Sequence, residues 1–114
     1  MALKTETRPW GNFIQFTLNE PSTVKLITVN PGQEFSLQYH HKRRELWRIL
    51  SGHPIITVGD KVVKGRPGDE IEVPEETNHR IKAEDEAVEI LEISLGEFDE
   101  NDIVRLKDNY GRVK

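Results

Sequence analysis

Pro31-Gly32-Gln33-Glu34-Phe35-Ser36-Leu37-Gln38-Tyr39-His40-His41-Lys42-Arg43-Arg44-Glu45-Leu46-Trp47 is the stretch on which the reading of this chain turns. Pro31-Gly32 signals a turn, and residues 35–38 have strand character. Successive side chains of a strand point to opposite faces, so Gln38 and His40 point one way while Tyr39 and His41 point the other. The four residues from His41 to Arg44 suffice for a tight turn, after which Glu45, Trp47 and Ile49 share one face of the next strand. If that strand pairs antiparallel with the first, Glu45 returns beside His40. An amide oxygen, an imidazole and a carboxylate then converge from one hairpin.

A fourth donor has to come from a distant strand. His79 is the candidate, standing after Pro74-Glu75-Glu76-Thr77-Asn78 at the start of another short run. Two histidines and one carboxylate are a common set for a divalent metal, with Gln38 as a neutral fourth partner. With a divalent ion the site would carry a charge of about +1, suited to an oxyanion or a developing enediolate. His41, on the opposite face, and His53, in a Gly-His-Pro turn, read as structural or solvent-exposed.

Composition agrees with such a site and excludes others. The chain has no cysteine, so disulfides, thiolate nucleophiles and cysteine zinc sites are ruled out together. Its 114 residues allow one domain, residues 1–114, and its net charge of −4 argues against a nucleic-acid partner. No apolar run approaches a membrane span or a signal-peptide core, so a cytoplasmic protein with no membrane partner is expected.

Turn residues are dense, from Pro9 and Gly11 through Pro67-Gly68 to Gly111, and leave no interval for a long helix. Between them lie β-like runs at 13–18, 24–29, 35–38, 45–50, 55–58, 61–63, 70–73, 79–83 and 88–95. Short strands with frequent turns predict an all-β sandwich or barrel. Gly59-Asp60 predicts a two-residue hairpin turn of type II′ or I′. In the last run, Val88 and Ile90 alternate with Glu89, whereas Leu91, Ile93 and Leu95 alternate with Glu92 and Ser94. A bulge near Ile90-Leu91, or burial on both faces, would account for this shift. After Gly96 the pattern suggests one short helix and an irregular tail. Leu46 and Leu50 share the face opposite Glu45, an apolar surface that a strand, the N-terminal arm or another subunit must cover.

The spacing resembles the first cupin motif: Gly32, five residues, Gln38, one residue, His40, four residues, Glu45, six residues, Gly52. Gln38 stands where most cupins have His. The second motif is recognisable as Gly68, five residues, Pro74 and then His79, with Glu76 in place of a usual Gly and Ala83 in place of a usual Asn. Within the cupins the chain resembles the type II phosphomannose isomerase domain, found fused to mannose-1-phosphate guanylyltransferase. The matching pieces are Arg8-Pro9-Trp10-Gly11, the stretch from Pro31 to Trp47, Gly52, Pro74, His79-Arg80-Ile81 and Asp102-Ile103-Val104-Arg105. Asp108 and Tyr110-Gly111-Arg112 complete the match, and in this family Gln before His is ordinary.

The resemblance implies a single-domain cupin, a double-stranded β-helix or jelly-roll barrel with a short C-terminal helix or tail, without a guanylyltransferase domain. It implies a metal-dependent aldose–ketose isomerase interconverting mannose 6-phosphate and fructose 6-phosphate. The metal would be held by Gln38, His40, Glu45 and His79; zinc is favoured, with manganese, cobalt, nickel or iron as alternatives. Arg80, Arg105 and Arg112, with Arg8 and Lys107 behind them, are the candidates to bind the substrate phosphate. The catalytic base is unassigned among Glu45, Tyr110 and Asp108. A homodimer is expected, as in many cupins. The alternatives are a non-catalytic sugar-phosphate-binding cupin, a cupin of the non-haem iron oxygenase type, and the same isomerisation on glucose 6-phosphate.

Overall fold

The punctuation that denies the chain a helix leaves strands of three to nine residues, and the computed structural model, which describes residues 4–111, has no helix among them. The strands are β1 (Lys4–Arg8), β2 (Gly11–Gln15), β3 (Ser22–Val29), β4 (Leu37–Tyr39), β5 (Arg43–Ser51) and β6 (Ile55–Val58). They continue with β7 (Lys61–Lys64), β8 (Glu70–Val73), β9 (His79–Lys82), β10 (Val88–Gly96) and β11 (Val104–Lys107). Since there is no helix, none of the described residues forms one long and apolar enough to cross a membrane.

Two antiparallel sheets supply opposite walls of the fold. One has the order β3-β10-β5-β8 and the other β11-β4-β9-β6-β7, while β1 and β2 form a separate hairpin. The hairpin turns through Pro9-Trp10, with Arg8 opposite Gly11, and leaves Trp10 exposed. Val58-Gly59-Asp60-Lys61 closes β6 on β7 as expected. Gly59 takes a φ of +58° while Asp60 stays outside the positive region, which makes the turn type II′.

The core changes character along its length. At one end Val29, Ile49, Ile56, Ile81, Ala83, Val88 and Ile90 form an apolar cluster with Trp47. Two residues further along the same strand faces the residues become polar: β5 continues inward from Trp47 to Glu45, β10 from Ile90 to Glu92 and Ser94, and β9 from Ile81 to His79. Alternation therefore carries polar side chains into the same interlayer space that the aliphatic ones fill.

The shift in β10 has one of the two causes foreseen, burial on both faces. Leu91, Ile93 and Leu95 face outward but are covered, packing with Leu46 and Phe16 in a second small cluster. The N-terminal arm thus covers Leu46, whereas Leu50 stays exposed. The β5–β10 register does slip between Glu89 and Ile90, but the extra residue, Leu50, belongs to β5, and Val88, Ile90, Glu92 and Ser94 stay on one face of β10.

Two sequence expectations are corrected. The short helix after Gly96 is instead a loop followed by β11, which pairs with β4 and places Arg105 opposite Gln38. A polar segment with two β-branched residues gains more from completing a sheet edge than from an isolated helical turn. Furthermore, β4 and β5 do not form a hairpin. The turn at 41–42 passes the chain from one sheet to the other, so Gln38 and Glu45 face each other across the sandwich.

Gly52 shows why the first motif ends in glycine. Its φ is +83°, and a Cβ there would lie 2.6 Å from the Ala87 carbonyl oxygen. Gly52→Ala is expected to cost roughly 2–4 kcal/mol of stability, read as a lowered thermal midpoint. A midpoint within about 2 °C of the parent would refute this account of the turn.

Candidate metal centre

The inward positions of β5 and β9, with the end of β4, bring three buried groups together: His40, Glu45 and His79, whose ligand atoms all lie within 4.8 Å of one another. The Glu45 carboxylate sits between the two imidazoles. Its Oε2 is 3.4 Å from His40 Nε2, and its Oε1 is 3.7 Å from His79 Nε2. Donor atoms bound about 2.0–2.2 Å from one ion stand roughly 3–3.5 Å apart, so the trio is close to a ligating arrangement.

Backbone carbonyls set both tautomers. His40 Nδ1 donates to the Asp102 carbonyl at 2.6 Å and His79 Nδ1 donates to the Thr77 carbonyl at 2.9 Å. Each ring therefore turns the lone pair of Nε2 toward Glu45. His79 Nε2 is buried and has no hydrogen-bond partner, a costly state for a polar atom and one that a metal ion would relieve. Trp47 donates from Nε1 to Glu45 Oε1 at 3.1 Å, and its ring edge packs against His79 at 5.5 Å between centroids. Trp47 is thus a core residue that also fixes the ligand carboxylate.

Asp102 fastens the end of β4. Its carboxylate accepts the backbone N–H groups of His41 and Lys42, both at 2.9 Å, while its carbonyl orients His40. Desolvation would push this carboxyl up, but the two amide hydrogen bonds and the neighbouring imidazoles outweigh it and hold the group below its ordinary range. Across the loop, the Glu76 N–H donates to the His40 carbonyl at 2.7 Å from a left-handed backbone, φ +55°. That conformation explains why glycine is usual at this motif position.

Beside the trio lies a cavity of about 360 Å³. Gln38, Arg43, Glu45, Glu92 and Arg105 contribute its polar walls, with Lys25 and Glu100, while Phe35 and Phe98 are among its apolar lining. Gln38 faces this space, and its Oε1 accepts from the Ser36 hydroxyl at 2.5 Å. Arg105 lies opposite Gln38 and has a buried Nε without a hydrogen-bond partner. Arg80 points to the other side of β9 from His79 and approaches Glu34 at 3.6 Å. Arg8 pairs with Glu6 in the N-terminal hairpin, Lys107 is exposed, and Arg112 lies outside the described residues.

Tyr110 and Asp108 also stand outside this cavity. The Tyr110 hydroxyl donates to Gln33 Oε1 at 2.7 Å, and Asp108 accepts the Tyr110 N–H at 3.3 Å. His41 and His53 are exposed and approach Glu76 and Glu86. Sequence reasoning passed over Glu92, Arg43 as a site residue, and Asp102. The signal for Glu92 was present: Glu92 and Ser94 interrupt the apolar inward face of β10, yet both are buried.

Burial governs ionisation here. Desolvation, with the charge of Arg43 nearby, lowers His40 and His79 from 6.5 to about 4, so both are neutral and ready to ligate at pH 7. Desolvation and then the Glu45 carboxylate push Glu92 from 4.5 up to about 7.

The chain belongs to the family whose model is described as mannose-6-phosphate isomerase C-terminal. The match spans residues 2–108. Curated relatives agree. The chain is 38% identical over 108 residues to the xanthan biosynthesis protein XanB of Xanthomonas campestris, covering 93% of this chain and 23% of that protein. It is 37% identical to the alginate biosynthesis protein AlgA of Pseudomonas aeruginosa, covering 93% of this chain and 22% of that protein. For the mannose-1-phosphate guanylyltransferase ManC of Salmonella typhimurium the identity is 33%, with 93% and 22% covered. The chain therefore spans less than a quarter of the length of these relatives.

Solved structures establish the cupin fold for this member of the mannose-6-phosphate isomerase C-terminal family. Oxalate decarboxylase from Bacillus subtilis superposes with a TM-score of 0.69 at 25% identity, over 76% of this chain and 24% of that one. A cupin protein from Bacteroides fragilis gives 0.62 at 21% identity, over 75% and 76%. The two sheets of the isomerase-family chain are those of a cupin, and they remain open rather than closing into a barrel.

The ionisation states predict how the metal-free protein responds to pH. Between about 4 and 6.5 the unfolded chain binds more protons at His40 and His79 than the folded one, so their contribution is complete above 6.5 and lost as pH falls through 4. Glu92 acts oppositely between 4.5 and about 7, where the folded state holds the extra proton and stability declines as pH rises. Two imidazoles outweigh one carboxyl, so the urea midpoint in chelator should climb toward 6.5 and then turn slightly down. A midpoint that falls steadily across this range would contradict these ionisation states.

Proposed function

We propose that this chain is a metal-dependent aldose–ketose isomerase that interconverts mannose 6-phosphate and fructose 6-phosphate. The observation that carries the reading is the unpartnered, buried Nε2 of His79 facing Glu45, next to a cavity walled by Arg105. The family of the chain supports the substrate class.

His40, Glu45 and His79 would hold the ion, with Gln38 at the cavity wall beside them; zinc is the first metal to test. When bound, the metal supplies Lewis acidity toward the carbonyl and hydroxyl oxygens of the open-chain sugar. Arg105 would take the phosphate, since its buried Nε has a donor to spare and its guanidinium can bind two oxygens together. Phe35 and Phe98 wall the space and limit water.

Isomerisation takes the proton from C2 of the aldose, leaving an enediolate, and returns it to C1 while the hydroxyl proton passes from O2 to O1. Glu45 is committed between the two imidazoles, and Tyr110 and Asp108 lie elsewhere. Glu92 is a buried carboxyl on the cavity wall outside the trio, and it would carry that proton.

Metal-loaded protein incubated with mannose 6-phosphate should produce fructose 6-phosphate. Measurable binding without turnover, with every divalent ion tried, would instead favour a binding domain. His79→Ala should lose both metal and turnover. Arg105→Ala should keep its metal and raise KM about tenfold or more, and Glu92→Gln should keep its metal and lower kcat by about 100-fold or more. Metal loss in either of the latter two variants would show that its role had been misassigned.

A further inference from the structure

Two acceptor-against-acceptor contacts surround Glu45, because both imidazoles carry their protons on Nδ1. One is Oε1 against His79 Nε2 at 3.7 Å, and no hydrogen-bond donor reaches that nitrogen. The other is Oε2 against His40 Nε2 at 3.4 Å, and here a cation does intervene. Arg43 directs Nη2 at His40 Nε2 over 3.2 Å and Nε at Glu45 Oε2 over 3.3 Å. Its guanidinium therefore spans two of the three donor atoms to which a metal would bind.

We propose that Arg43 is an internal stand-in for the metal, holding the donor atoms of His40 and Glu45 together in the metal-free protein and withdrawing from them when an ion enters. This rests on the reading of the trio as a metal site. A neutral imidazole has one lone pair in its plane, at the unprotonated nitrogen, and that pair serves either an N–H donor or a metal ion but not both. Arginine does not shed its charge to make room. With Arg43 only 7% exposed, water screens little of the repulsion between the guanidinium and a divalent ion.

The surroundings provide a place for Arg43 to go. Nη1 donates to the Asp99 carbonyl at 3.2 Å, and the guanidinium carbon lies 4.5 Å from the centroid of the Phe98 ring. Both contacts are to the loop between β10 and β11, and neither involves a residue of the trio. Arg43 already lines the cavity, so a small rotation about these anchors releases Nη2 and Nε from the ligands and turns their N–H groups to the space where an anionic ligand would lie. Metal loading thereby arms an additional anion-binding group.

The proposal makes two properties move in opposite directions. Removing the stand-in leaves Glu45 and His40 buried without a donor between them, which weakens the metal-free fold, but it also removes a competitor for the site. Arg43→Met should lower the thermal midpoint in chelator and yet bind zinc about tenfold or more tightly, measured on the full chain by competition with a chromophoric chelator at neutral pH. An arginine that merely supports the site from behind would lose on both counts. If the parent binds zinc and Arg43→Met binds it equally or less tightly, the stand-in role is refuted while the metal site remains. If neither protein binds zinc, the metal site itself is refuted, and the proposal with it. Should Arg43→Met not fold, the parent alone decides by NMR of the arginine side chains. The Arg43 Nε–H signal should shift on zinc saturation while that of Arg48, paired with Glu70 on the surface, stays in place; an unmoved Arg43 signal overturns the proposal.

Discussion

The Glu45 carboxylate is 1% exposed, and a charge so deeply buried persists only if partners surround it. Much of the polar end of this sandwich can be understood as the set of partners that Glu45 requires. The Trp47 indole serves one oxygen, the Arg43 guanidinium serves the other, and an imidazole stands beside each. Those imidazoles have to be aimed, and the carbonyls of Asp102 and Thr77 aim them. Asp102 is held in turn by the amides of His41 and Lys42. The constraint thus propagates outward to the loop that carries the chain from β10 in one sheet to β11 in the other.

Polar and apolar interiors coexist here without a separate domain for each. Strand alternation delivers the same faces of β5, β9 and β10 to both, and the identity of the residue two positions further along decides which region is built. Ile49, Ile56 and Ile81 give the site a rigid floor, and Trp47 belongs to both regions. Such a floor limits how far His40, Glu45 and His79 can relax, and the Arg43 guanidinium lies against two of them.

Much of this was legible in the order of residues. The spacing picked out His40, Glu45 and His79, which the fold brings together, and parity separated His40 from His41. The turn at Gly59-Asp60, eight of the nine strand positions beyond the N-terminal arm and the double burial of β10 also followed from local pattern and turn chemistry. Less legible were the groups whose meaning depends on what faces them. Arg43 reads as one cation in a basic run, and burial beside Glu45 distinguishes it from Arg44. Glu92 reads as the solvent-side residue of an alternating strand until Leu91 and Ile93 are found covered by Phe16. The segment around Ile103 and Val104 resembles a helix until β4 offers it an edge to pair with.

The sequence by itself determined which chemistry was available: nitrogen and oxygen donors without thiolates, in short strands whose alternation puts those donors on inward faces. Those are local properties, set by residue type and by the two-residue period of a strand. Tertiary structure decided which sheet each donor reached, the direction in which each imidazole turned its lone pair, and which of many arginines and glutamates lost their water. These depend on contacts between residues as much as 62 positions apart, as in His40 with Asp102. No local pattern encodes such a pairing, because it arises from the register of strands that meet only after the chain has folded.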